Sequence, residues 1–199
     1  MRSAQRTRWC IVGVGGAGTN IVNRVHAANA SGIDCIVANT DYASLRDSPV
    51  SRRIQLGNEG RGADGRPGFG QAAAWVSCEQ IRKALAGYSM VCVVAGLGGG
   101  TGTGAGPVVA QLALEYGACV AIAVTVPFEF EGEAREKAAL EGLRLLRGIA
   151  DKMLVFESDA YFRRNFPMKT VIDRMDTQIS RLLPKWMRSL VEESGQEEG

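Results

Sequence analysis

Two clusters of glycine are the residues in this chain best placed to do chemistry. Gly13-Val14-Gly15-Gly16-Ala17-Gly18 fits G-x-G-x-x-G between a strand-like run and a helix-like one. Amides without neighbouring Cβ atoms are what close approach of backbone to a phosphate requires. The same pattern is the dinucleotide fingerprint, and Asp41, near the end of the second strand-like run, stands where an acid could hold a ribose. The second cluster, Gly96 to Gly106, holds seven glycines in eleven positions, with Thr101 and Thr103 as added hydroxyl donors. A structural turn needs one or two glycines, so this run reads as amides gathered around one anion, at the positive end of a helix starting near Gly104. Alanine at Gly100 or Gly102 is accordingly expected to remove binding and leave the fold largely intact. No Gly-Lys dipeptide occurs, so the lysine of a Walker P-loop is missing.

The elements that must position these loops follow from hydrophobic periodicity. Strands are predicted at 9–14, 33–39, 53–56, 90–96, 118–126 and 152–156. Helices are predicted at 18–30, 69–86, 104–116, 132–149 and 168–190. Pro107 would fall in the permissive first turn of its helix, and Pro184 should kink or end the last one. Strands of nearly continuous apolar character alternating with helices imply an α/β fold: a doubly wound, mostly parallel six-stranded sheet with helices on both faces. Ligands in such sheets sit beyond the carboxyl ends of the strands, and the glycine loops after strands one, three and four all lie at that edge.

Composition narrows the field. With 46% hydrophobic and 22% charged residues in 199, the chain has the makings of one globular core. No apolar run reaches the ~18 residues of a membrane span. Lys+Arg 23 against Asp+Glu 21 argues against nucleic acid or an anionic membrane as a partner held by bulk charge. The opening residues are basic but carry no signal-peptide pattern. The five cysteines show no C-x-x-C spacing, and four sit in strand-like runs, which suits small hydrophobes in a reducing cytoplasm. The only histidine, His26, and the pairs Arg52-Arg53 and Arg163-Arg164 read as solvated side chains.

Gly98-Gly-Gly-Thr-Gly-Thr-Gly104 resembles the signature of the tubulin/FtsZ superfamily. The runs Val12 to Arg24, Val37-Ala-Asn-Thr-Asp41 and Val126-Pro-Phe-Glu-Phe-Glu-Gly132 are similar to its FtsZ branch and occur in the right order. The likeness extends over about residues 9–182. It implies a GTP-binding domain over residues 1–190; the acidic segment that follows, 191–199, reads as a frayed tail. The bound ligand would be GTP or GDP, with Mg²⁺ held through the phosphates. Gly15, Gly16, Ala17 and Gly18 with Gly98, Gly99, Gly100, Thr101, Gly102, Thr103 and Gly104 would cradle the phosphates. Asn39 and Asp41 would lie near phosphate and magnesium, and Ala63 belongs to the third-strand loop. Asn20 and Arg24 would reach the nucleoside, Pro127 would border the site, and Glu131 with Arg135 would hold the ribose. Asp176 would accept hydrogen bonds from guanine, whose edge offers two N–H groups that adenine cannot match.

Four departures qualify the implied activity. Ile172 stands where the family has an aromatic residue over the base, Ser158 where it has asparagine, and Asp64 where it prefers glycine. Asp64 would repel a γ-phosphate unless Mg²⁺ or Arg66 compensates. The family's acidic catalytic loop and second domain have no counterpart in this sequence, so no catalytic residue is assigned. The resemblance implies a guanine-nucleotide-binding protein with little GTPase activity alone, self-associating or capping full-length FtsZ-type filaments. An autonomous GTPase or another nucleotide-dependent enzyme is the alternative. Without the second domain, Leu183, Trp186, Met187 and Leu190 are expected to be partly bare unless a kink or a partner covers them.

Overall fold

The computed structural model describes residues 8–28 and 32–196. Six strands, β1 (Trp9–Val14), β2 (Ile33–Asn39), β3 (Arg52–Gln55), β4 (Met90–Gly96), β5 (Cys119–Val126) and β6 (Lys152–Glu157), form one sheet. Its order is β3-β2-β1-β4-β5-β6, and every pairing is parallel. The helices are α1 (Gly15–Ala27), α2 (Tyr42–Arg46), α3 (Pro67–Val76), α4 (Cys78–Leu85), α5 (Gly100–Glu115), α6 (Glu133–Arg147) and α7 (Met168–Gln196), with short 3-10 turns at Glu129–Glu131 and Ser158–Tyr161.

Alternation along the strands sorts side chains into two cores. Cys10, Val12 and Val14 of β1 join one core, under α3 to α6. Ile11, with Cys92, Val94, Ala121 and Ala123, joins the other, under α1 and α7. All five cysteines are free thiols. Strand order reverses between β1 and β4, so α1 and α5 leave toward opposite faces and a crevice opens where the two strands end.

Several boundaries differ from the periodicity reading. Helix α1 starts at Gly15, not 18, and α5 at Gly100, not 104, because the glycines are themselves the first helical turns. Pro107 therefore lies in the interior of α5 and costs the ladder bond to the carbonyl of Thr103. The expected helix 69–86 is two helices, interrupted at Ser77, whose hydroxyl donates to the Gln55 carbonyl at 3.1 Å and accepts the Gly57 amide at 2.9 Å. Strand β3 begins one residue earlier than expected.

The largest correction is at Pro184. Helix α7 runs through it to Gln196, where the helix was expected to kink or end. Leu183 and Met187 are fully buried and Leu190 nearly so, against the sheet face that α7 covers, and Trp186 packs beside them. The residues expected to be bare thus close the molecule's own core, and that burial outweighs the proline's lost hydrogen bond. The opening residues 1–7, residues 29–31, of which 29 and 30 belong to the expected first helix, and Glu197 and Glu198 lie outside the described residues.

Candidate nucleotide site

A cavity of about 440 Å³ occupies the crevice at the carboxyl ends of β1, β4 and β5. At one end its wall is the opening turns of α1 and α5: Gly16, Ala17 and Asn20 from the first, Gly99, Gly100, Thr101 and Gly102 from the second. Neither helix has a side-chain N-cap, since Val14 and Gly99 occupy the cap positions. The first amides of both helices therefore face the cavity without a capping side chain, with both positive dipole ends at the same spot. That arrangement can hold an anion such as a phosphate chain.

The glycines divide into two groups. A Cβ on Gly16 or Gly99 would meet nothing within 4 Å, so these two are open to the cavity. A Cβ on Gly102 would lie 2.2 Å from the Gly96 carbonyl oxygen, one on Gly18 2.2 Å from that of Val94, and one on Gly104 1.9 Å from that of Pro67. Those glycines bring helix to strand and helix to helix. Gly100 packs on Ala63, whose Cβ would be 2.8 Å from the added carbon, and this is how the third-strand loop touches the site. The expectation that alanine at Gly100 or Gly102 spares the fold is therefore corrected: neither has a positive φ, and both are closed by neighbouring atoms.

At the opposite end the wall is side chains. Asp176 and Ile172 of α7 line it, with Ser158 and Pro127 nearby, and Glu131 and Arg135 complete the rim as an ion pair. The Glu131 carboxylate also accepts the Phe128 amide at 3.0 Å, which fixes its rotamer. Ser158 is buried and donates to the Val126 carbonyl, so its hydroxyl proton is committed. Asp176 is only 2% exposed, and its Oδ1 has no partner among the described residues. Burial pushes its carboxyl up to about 6, an effect that Arg24 opposes and Asp173 reinforces. A buried carboxylate oxygen with no donor is costly alone and fit for a ligand that brings N–H groups.

The remaining expected residues stand behind the wall. Gly15, Gly18 and Gly104 are in helical turns packed on neighbouring backbone. Thr103 is buried and accepts the Gly98 amide at 2.9 Å, and Gly98 makes its turn at φ 93°. Asn39 accepts the Asp41 amide at 3.2 Å, and its buried Nδ2 has no partner among the described residues. Asp41 caps α2, its Oδ1 accepting from Ala43 at 2.8 Å and Ser44 at 3.2 Å, and it does not line the cavity. Arg24 donates to Asp173 at 2.7 Å and also stays off the cavity wall. Asp64 is exposed with φ 46°, a left-handed backbone that accounts for glycine suiting the position, and it too is off the wall. His26 is exposed. Leu97, Thr125, Phe128 and Met175 line the cavity without having been anticipated. Leu97, Phe128 and Met175 adjoin expected residues, whereas Thr125 is reached only through the register of β4 and β5.

The family described as "Tubulin/FtsZ family, GTPase domain" matches residues 8–164. The chain belongs to the tubulin/FtsZ family. Cell division protein FtsZ 2 of Rhizobium meliloti is 45% identical over 161 residues, which are 79% of this chain and 46% of the relative. Cell division protein FtsZ 1 of Halobacterium salinarum is 45% identical over 157 residues, 77% of this chain and 40% of the relative. Among solved structures, an empty FtsZ dimer of M. jannaschii superposes with a TM-score of 0.87 at 35% identity, covering 90% of this chain and 54% of that one. A GTPγS-bound protofilament of CetZ2 from Haloferax volcanii gives 0.83 at 27%, covering 90% and 58%. The chain spans about half the length of the relatives it matches. The fold expected from the sequence, a parallel doubly wound sheet of this family, is the one observed.

Proposed function

We propose that this chain binds a guanine nucleotide, GTP or GDP, in the cavity at the β1/β4 crevice, as a single GTP-binding domain over about residues 1–190. One observation carries the reading. A cavity with two uncapped helix N-termini at one end has a buried, donor-less carboxylate at the other. The first suits a phosphate chain and the second the N–H pair of a guanine edge. Glu131 and Arg135 at the rim suit ribose hydroxyls. A magnesium ion would be held chiefly through the phosphates. Calorimetric titration with GTP, ATP and NAD tests the reading: GTP should bind best, and equal affinities or a preference for NAD would overturn it.

The matched relatives include a dimer and a protofilament, and we infer that this chain likewise meets its own copy or an FtsZ-type protein through the nucleotide face. Hydrolysis by the chain alone should be slow. The cavity's carboxylates are Glu131, held by Arg135 and the Phe128 amide, and Asp176 at the far end, which leaves no general base beside the phosphate end. GTP turnover alone and with a full-length FtsZ, beside filament length by light scattering, separates the outcomes. Shortened filaments would favour capping, and brisk turnover alone would favour an autonomous GTPase. No helix among the described residues is long and apolar enough to cross a membrane.

A further inference from the structure

Arg24 and Asp173 form an ion pair of 2.7 Å between α1 and α7, beside the cavity and outside its wall. Asp173 lies three residues before Asp176, so the two carboxylates are neighbours on one helix face. Asp176 is buried, while Arg24 and Asp173 are 38% and 50% exposed. The cation of α1 is thus held by an exposed carboxylate that stands one helical turn from a buried one.

We propose that this ion pair tunes base recognition: Arg24 acts through Asp176, keeping that carboxylate ionised for the guanine edge, and Asp173 limits how much of Arg24's charge reaches it. The proposal rests on the guanine reading above and adds a role for two residues that do not touch the ligand. Arg24 is then a positioning residue of the electrostatic kind, where the family resemblance implied contact with the nucleoside.

The other charged and titratable groups around Asp176 do not compete for this role. On α1, His26 is exposed. The 3-10 turn Ser158–Tyr161, packed on α7, carries Asp159, which accepts the Glu129 amide at 3.0 Å, and the phenol of Tyr161, which burial keeps neutral. The sheet face beneath α7 presents Cys92, a thiol that burial also keeps neutral. Across the cavity Glu131 and Arg135 pair with each other. Arg24 and Asp173 are the charges that move Asp176, in opposite directions.

The sign of each substitution follows. Removing Arg24 takes away the stabilising cation, so Asp176 holds its proton to higher pH. Removing the charge of Asp173 deletes a like charge and releases Arg24, so Asp176 loses its proton at lower pH. Guanine N–H groups need the ionised acceptor, so GTP affinity should follow the ionised fraction.

The test uses the whole chain in two measurements. Carbon-detected NMR of the Asp176 carboxyl in the ligand-free protein reads its titration midpoint in wild type, Arg24→Gln and Asp173→Asn. Calorimetry then reads the GTP dissociation constant of the same proteins near pH 6 and near pH 8. The terminal phosphate of GTP titrates in the same range for every variant, so differences between variants are the quantity of interest. The Asp176 midpoint should rise in Arg24→Gln and fall in Asp173→Asn. GTP binding near pH 6 should be about threefold weaker in the first and about twofold tighter in the second, converging near pH 8 where all are ionised. Unmoved midpoints, or midpoints moving in the same direction, would overturn the proposal. So would an Arg24→Gln loss as large near pH 8 as near pH 6, which would mean direct contact with the ligand. Absence of GTP binding by wild type at both pH values would overturn the nucleotide reading itself, whatever the carboxyl titration shows.

Discussion

At one end the cavity wall is backbone, the glycine-rich opening turns of α1 and α5; at the other it is side chains, chiefly Asp176 and Ile172 of α7. The backbone end is assembled from segments adjacent in sequence to β1 and β4, and those strands pair in register from Trp9↔Met90 to Val14↔Ala95. Its geometry is fixed by strand pairing, and its donors are always present. The side-chain end comes from a helix far along the chain, laid against α1 by burial of Val171, Met175, Ile179 and Leu183. Its chemistry depends on a protonation state. The first end is built to be permanent and the second to be adjustable.

The largest effect that could break this contrast is at the closed glycines. Gly104→Ala or Gly102→Ala places a methyl group about 2 Å from a backbone carbonyl. Thermal unfolding should show each variant destabilised by about 1–3 kcal/mol, the usual cost of overpacking, with GTP binding lost as a consequence. A variant of full stability would mean that the backbone end yields more readily than its packing implies.

The open glycines sharpen the same point. Gly16→Ala and Gly99→Ala have room for the added carbon and need no positive φ, so melting temperature should hardly change. The methyl group would nevertheless stand between the amides and a phosphate, and GTP affinity should fall roughly tenfold or more, equivalent to about 1.4 kcal/mol. Unchanged affinity in both would show that the glycine turns serve packing alone.

Asp176→Asn probes the adjustable end. The native carboxyl is raised from 3.8 to about 6, so the folded, ligand-free chain binds its proton more tightly than the unfolded one. Stability from this group is therefore present at low pH and lost as pH rises through about 4 to 6. Asparagine carries no such charge. The variant should be more stable than wild type above pH 6, by on the order of 2 kcal/mol, with little difference near pH 4. It should also lose preference for GTP over ATP. Denaturant unfolding at the two pH values and paired titrations check both.

The smallest expected effect is a gain. Ile172 is 37% exposed on the cavity wall, where a ring could lie against a base. Ile172→Phe should tighten nucleotide binding a few-fold, about 1 kcal/mol of stacking, with little regard to the base. Tightening confined to GTP would instead place the effect on Asp176.

Much of this was legible in local sequence. The two glycine runs, the alternating apolar strands and the spacing of the helices led to a parallel doubly wound sheet with its site at the strand ends, because each depends on neighbours a few residues apart. What the chain order could not convey was distance between elements. Pro184 reads as a helix breaker, yet the apolar face around it is buried in the second core and the helix continues. Nor could chain order convey that Asp41 caps α2, or that Arg24 pairs with Asp173, an acid 149 positions away.

The residues by themselves determined the family, the sheet and the glycine-rich turns at its edge, since glycine content and strand periodicity are properties of contiguous sequence. Only the tertiary structure decided which glycines face the cavity and which join helix to strand. It alone left Asp176 buried without a donor and set Arg24 beside it. Burial and Coulomb interaction act through space, and the packing of α7 on α1 brings those groups together.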